Sequence, residues 1–284
     1  MSRSVRFEVA AELRTFAESV RAAIGEWEPP REPELGAWLD DRDGALAERL
    51  EAAGWGELWS DRDLLGPAVA GGFQLGRSAA PACLIDEASL GAPLCVAGRA
   101  RHGTGATVFA LPLPDGGLAL GRPASEPVAE TTLDGSGTVR VEVEAADELS
   151  PGDAGARWHV WSAGTLAYLA GLAEQALALA VEHARRREQF GAPLAALPAV
   201  QARLADAALA VEGMTLVAWE AVDAGAAPTA PELLWTGAAC NEVVASSQQV
   251  HGAAGFALET GLHRLYRRAR AMHTWTAAAC AAAR

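Results

Sequence analysis

Arginine clustered at one helix end, and glycine set beside glutamine, are the combinations in this chain that could grip a ligand. The run ARRREQFGAPLAALPAVQARLAD, residues 184–206, ends a helix in three arginines, stops at Gly191 and turns at Pro193. Cations there offset the partial negative charge of a helix C-terminus, the ordinary reason for such a cluster. Downstream, the stretch from Gln248 through His251 and Gly252 to Gly255 and Phe256 sets a glycine pair between two helices. Glycine accepts positive φ in a connection; it also lets the main chain come close to a ligand, with Gln249 as a side-chain donor. A third run, Arg264, Arg267, Arg268 and Arg270, reads as a solvated or interface-paired face.

Composition removes many chemistries. All 23 basic residues are arginine, and the chain has no lysine. A phosphate-binding loop that needs its lysine, and a Schiff-base enzyme that needs a deprotonable amine, are therefore excluded. With 36 acidic residues the net charge is −13, which repels nucleic acid. Cys83, Cys95, Cys240 and Cys280 lack CxxC spacing, so neither a metal site nor disulfides are expected. No unbroken apolar run reaches membrane length, and the charged first residues do not read as a secretory signal. A cytoplasmic protein with no membrane contact is expected.

The elements that must position these residues fall into three stretches. Residues 1–92 read as an N-terminal helical domain, shorter than usual. Val5, Val9, Leu13, Phe16 and Val20 step by three and four, Pro29, Pro30 and Pro33 interrupt, and a second helix lies near Ala45–Ala53. Residues 93–150 read as a reduced β region of three or four strands. There Val139, Val141 and Val143 alternate with charged residues as one half-buried strand, after the turn formers Asp134 to Gly137. Residues 151–284 read as a four-helix bundle. One helix buries Leu166, Leu169, Ala173, Leu177, Ala180 and Ala184. A second carries Leu204, Ala208, Val211 and Ala218, and a third starts at Pro231 and turns Leu234, Ala238, Asn241 and Ala245 inward. The fourth spans about Leu258–Met272. The fold class is mainly α with a small β region.

Taken together and in order, these segments resemble the acyl-CoA dehydrogenases. The family pattern RxQFGxPLxxxxxxQ fits Arg187, Gln189, Phe190, Gly191, Pro193, Leu194 and Gln201. The pattern QxxGxxGF fits Gln249, Gly252, Gly255 and Phe256, followed by the arginine-bearing helix LHRLYRRAR. Two long motifs at consistent separation are far more specific than either alone. The resemblance implies the family's fold and FAD, with Arg187, Gln189, Phe190, Gln249, Gly252 and Gly255 as cofactor-binding residues. In the family this grip reaches a flavin held mainly by a neighbouring protomer. A guanidinium makes forked bonds to pyrophosphate oxygens, and glycine admits main-chain N–H groups.

The resemblance also implies a glutamate base that removes the α-proton of an acyl-CoA, and here it fails. Alignment places Thr276 at one family base position and Trp161 at the other, and neither can accept a proton. Elsewhere in the bundle Glu174, Glu182, Glu242 and Glu259 are available as carboxylates. The flavin-holding loop and strand are missing between Pro93 and Leu149, with Ser125-Glu126-Pro127 the nearest approach. Such a chain resembles the short, base-lacking subunit of the heterotetrameric (α2β2) steroid acyl-CoA dehydrogenases of actinobacteria. That implies a longer partner subunit bearing the catalytic glutamate, shared FAD, an acyl-CoA substrate and an electron-transfer flavoprotein as acceptor. The competing expectations are a self-sufficient homo-oligomer with a relocated base, and a flavin-free scaffold.

Overall fold

The structure is a computed structural model that describes residues 11–25, 44–59, 64–103, 105–130, 132–133 and 137–284. Val5, Val9, the prolines at 29, 30 and 33, and residues 134–136 lie outside it. Five helices come first: α1 (Ala11–Gly25), α2 (Gly44–Ala52), α3 (Trp55–Leu58), α4 (Leu65–Arg77) and α5 (Cys83–Leu90). Strands β1 (Cys95–Val96), β2 (Arg99–Ala100), β3 (Phe109–Pro112), β4 (Leu118–Pro123), β5 (Val128–Glu130), β6 (Thr138–Arg140) and β7 (Val143–Glu148) follow. Then come α6 (Pro151–Arg186), β8 (Glu188–Gln189), β9 (Ala192–Pro193), α7 (Pro198–Asp223), α8 (Ala230–His251) and α9 (Leu262–Ala282). The mainly α class with a small β region is therefore the observed one.

Helix α6 is the spine. Ser150 caps it, its hydroxyl accepting from the Asp153 N–H at 3.2 Å. Pro151 occupies the first turn, and His183, Arg185 and Arg186 close the last, where cations suit the helix dipole. By length and composition this helix could cross a membrane, but 67% of its most apolar stretch is buried, against α4, α7 and α8. Its contact with α4 is backbone on backbone. A Cβ at Gly76 would come 2.0 Å from the Tyr168 carbonyl, and one at Gly171 would come 2.2 Å from that of Phe73. Tyr168 ties the pair further by donating to the Ala80 carbonyl at 2.7 Å.

The predicted stripe of α6 is buried apart from Leu177, which is only partly covered, but the helix is also buried on every side from His159 to Ala173. The inward faces of α7 and α8 are not. Helix α7 buries Ala207, Met214, Ala218 and Ala221, leaving Ala208 exposed and Leu204 and Val211 half-buried. Helix α8 buries Leu233, Thr236, Gly237, Cys240, Val243, Val244 and Ser247, about one position away from the stripe expected. Both helices are apolar on all sides, so their sequences contain no sharp stripe to set the rotation. Helix α9 runs ten residues beyond Met272 in one unbroken helix.

Two sheets replace the single small one expected. One has the order β1-β2-β6-β5 and the other β3-β4-β7. The alternating run at 138–144 splits between them: β6 ends at Arg140 and β7 begins at Val143, so one half-buried strand becomes a crossover. Val139 and Val141 bury in a small core with Cys95, Ala100 and Phe109. The segment at Trp55 forms the short helix α3, pinned by the Trp55 indole donating to the Leu84 carbonyl at 3.0 Å.

Candidate functional site

The first motif folds as a two-residue β-hairpin rather than a plain break. Glu188 pairs with Pro193 and Gln189 with Ala192, leaving Phe190 and Gly191 at the tip. Both tip residues have positive φ, +55° and +79°, as the tight turn favoured by strand twist requires. Phe190 meets this at the strain cost of a non-glycine residue in the left-handed region, and its ring is 91% exposed. Arg187 caps the C-terminus of α6 in extended backbone; its carbonyl accepts from the Leu194 N–H at 2.8 Å, fixing the hairpin's base. Arg187 and Gln189 are both exposed.

The second motif ends α8. Thr229 and Glu232 form a capping box that starts this helix, and Gly252 ends it with φ +61°. A Cβ at Gly252 would meet nothing within 4 Å, so its main chain faces open space. Gly255 serves differently: it lacks positive φ, but a Cβ there would lie 2.7 Å from the Gln248 carbonyl. Gln249 is exposed and Gln248 buried.

These motifs meet at one end of the bundle. Ala180 and Ala184 of α6, Leu194 after the hairpin and Val250 of α8 share one small apolar cluster. His183, one turn before Arg187, stacks on His251 between Gln249 and Gly252, with ring centroids 4.3 Å apart. Burial first, then the positive neighbours His251, Arg187 and Arg186, hold the His183 pKa below its ordinary value. That end therefore disfavours further positive charge and is suited to receive an oxyanion on exposed guanidinium and main-chain N–H groups.

Trp161 and Thr276 are buried, each about 1% exposed. The Trp161 indole donates at 2.8 Å to Asp86 Oδ1, and Arg101 donates to the other carboxylate oxygen at 3.1 Å. Arg101 in turn lies over the Trp275 ring, 5.0 Å from its centroid, and against the Met272 sulfur. Asp86 and Arg101 are 1% and 3% exposed. Sequence reasoning missed both; a single aspartate inside the apolar run LIDEASL is the signal that could have found them. Nor are the arginines of α9 one solvated face, because Arg268 is wholly buried while Arg270 is exposed. Of the other carboxylates, Glu174 faces Arg77 at 3.4 Å and Glu182 faces Arg186 at 3.1 Å. Glu242 and Glu259 are exposed, as is the turn at Ser125 and Glu126 between β4 and β5.

Fold and site together define a helical bundle with an appended small β region, presenting an exposed arginine-and-glycine surface. Residues 160–276 match the family described as Acyl-CoA dehydrogenase, C-terminal domain. The chain is 35% identical over 105 residues to 3-sulfinopropanoyl-CoA desulfinase of Paraburkholderia xenovorans, covering 35% of this chain and 27% of the relative. It is 30% identical over 190 residues to the mitochondrial short-chain specific acyl-CoA dehydrogenase of Bos taurus, covering 61% and 45%. The matched stretch thus spans less than half the length of these relatives. The fold is that of acyl-CoA dehydrogenases throughout. The Tcur3481-Tcur3483 steroid ACAD superposes with a TM-score of 0.74 at 21% identity, covering 95% of each chain. The ChsE4-ChsE5 complex from Mycobacterium tuberculosis gives 0.72 at 18%, covering 98% and 96%.

Proposed function

We propose that this chain is the non-catalytic subunit of a heteromeric, cytoplasmic, FAD-dependent acyl-CoA dehydrogenase. The complex oxidises a steroid side-chain acyl-CoA to the 2,3-enoyl-CoA. The longer partner supplies the glutamate base, and an electron-transfer flavoprotein takes the electrons. One observation carries the reading: the interior that should hold a base holds an indole and a threonine instead, and the nearby carboxylate Asp86 is committed to Trp161 and Arg101. A general base must reach the proton it removes with a free lone pair, and a carboxylate locked to a buried guanidinium does not offer one.

The outward motif residues support a shared cofactor. FAD, when bound, supplies a hydride acceptor; this chain's part is to hold and orient it. Arg187 would fork onto pyrophosphate oxygens, Gln189 and Gln249 would donate amide N–H groups, and Phe190 would cover a flat surface. The open main chain at Gly252 leaves room for close approach, and Gly255 packs the turn behind it. Exposure of all of these except Gly255 suits a ligand seated mainly on another chain. Solved neighbours named as a steroid ACAD and as a two-component complex support the substrate class and the heteromer.

The test is co-purification with a longer acyl-CoA dehydrogenase subunit. The complex should be yellow and bleach with acyl-CoA, whereas this chain alone should not turn over. Changing Arg187→Ala in the complex should remove a charged hydrogen bond worth about 1.5–3 kcal/mol, lowering FAD affinity ten- to a hundredfold. Unchanged FAD occupancy would favour a scaffold, and turnover by the isolated chain would favour a self-sufficient enzyme.

A further inference from the structure

The cleft between the four-stranded sheet and α9 carries chemistry that the cofactor reading does not use. It encloses ≈ 560 Å³ and is lined by Arg99, Arg101, Leu133, Arg270, Thr274 and Trp275, among others. Hairpin β1–β2, whose tip residues Ala97 and Gly98 both have positive φ, brings Arg99, exposed, and Arg101, buried, to the cleft. Three guanidinium groups converge on one cleft of a chain whose net charge is −13.

Their compensation is incomplete. Arg99 has Glu130 at 2.8 Å and Arg101 has Asp86 at 3.1 Å. Among the described residues Arg270 has no carboxylate at ion-pair distance and lies instead near the Tyr266 ring, 5.9 Å from its centroid. Two buried donors on lining residues also lack an acceptor: Arg101 Nε, on a side chain 3% exposed, and Trp275 Nε1. Buried N–H groups are normally bonded, and ones lining a cationic cleft call for a ligand oxygen. The Asp86 pairing and the Trp275 ring hold the Arg101 guanidinium in one orientation, so its remaining donor is preset.

We propose that this cleft binds a small organic oxyanion, a carboxylate or phosphate monoester on an apolar or flat body. Arg270 supplies the unmatched charge, Arg101 and Trp275 the free donors, and Leu133, 55% exposed, an apolar wall. Guanidinium, hydroxyl and indole groups hold such a ligand without deprotonating it, so the site reads as a receptor. None of the residues assigned to FAD takes part, which makes the two readings separable.

Intrinsic tryptophan fluorescence and calorimetry on the purified chain test this, with benzoate, octanoate, AMP and inorganic phosphate as probes. Saturable binding of at least one probe is expected, the carboxylate and phosphate arms telling which oxyanion is preferred. Arg270→Ala, at an exposed position, should keep the far-ultraviolet circular dichroism and weaken binding at least tenfold. Trp275→Phe should lose most of the fluorescence response while calorimetry still detects weaker binding. Absence of saturable binding by every probe, or affinity unchanged in Arg270→Ala, overturns the proposal. So does FAD occupying the cleft, seen as probe binding blocked in the FAD-loaded complex and restored by Arg187→Ala. FAD occupancy of the complex should be indifferent to Arg270→Ala, so failure here leaves the subunit reading untouched.

Discussion

At the scale of single residues the decisive group is Asp86. A carboxylate 1% exposed must be paired, and its partners are the Trp161 indole and the Arg101 guanidinium. Asp86→Ala leaves that guanidinium buried without its counter-charge, and should destabilise the chain by about 3–5 kcal/mol. Asp86→Ala combined with Arg101→Met should recover part of the loss in urea unfolding; an Asp86→Ala cost under about 1 kcal/mol would mean that water replaces the pair. The same contact bears on restoring a base, since Trp161→Glu would set one carboxylate against another. The four cysteines are buried, and burial holds the thiols of Cys95, Cys240 and Cys280 above the ordinary value, Cys95 up to about 11, which disfavours the thiolate there. That Trp161 and Thr276 carry no carboxylate is legible in the sequence; their buried neighbours were not, because Asp86 and Arg101 lie 75 and 60 residues upstream of Trp161.

At the scale of elements, two helix ends and a hairpin assemble the outward surface. The hairpin at Phe190 and Gly191 follows from left-handed turn geometry, and its glycine was legible. The stacking of His183 on His251 was not, since it depends on how α6 and α8 cross. It has a consequence for pH. The folded pKa of His183 is lowered, chiefly by burial and then by His251, Arg187 and Arg186, while an unfolded histidine titrates near 6.5. Between those values the unfolded chain binds the proton and the folded chain does not, so this contribution to stability is complete above about pH 6.5 and falls as the medium turns acid. Urea midpoints should drop between neutral and acid pH, and His183→Gln should remove part of that drop. A titration of His183 by NMR at or above the ordinary value would contradict it. Binding a pyrophosphate there should raise the same pKa.

At the scale of the whole molecule, the bundle is finished on one side only. Leu209 is 72% exposed, Leu216 41% and Trp235 45%, the last resting on Gly213 of α7. Leu209, Gly213 and Leu216 follow one stripe of α7, a helix apolar on all sides with only a few residues buried. Assembly of the proposed complex is expected to bury this face against the partner subunit. Burying a leucine is worth about 1.5–3 kcal/mol, so Leu209→Asp should weaken assembly at least tenfold while leaving the melting temperature of the isolated chain within a few degrees. Co-purification of the variant at full yield would place the partner elsewhere.

Composition and local pattern alone determined the succession of helical, strand and helical stretches, the arginine-rich end of α6, the proline start of α8, the two motif segments and the lack of a carboxylate at Trp161 and Thr276. Each of these depends on residues close together in the chain, where helical and strand period and turn chemistry decide the outcome. Tertiary structure alone decided the rotation of α7 and α8, the splitting of the 138–144 run between two sheets, and the network joining Asp86, Arg101, Trp161 and Trp275. Alanine-rich helices present apolar surface in every direction, so which side faces inward is set by the helices they meet, and a buried ion pair forms only once distant segments exclude water from it.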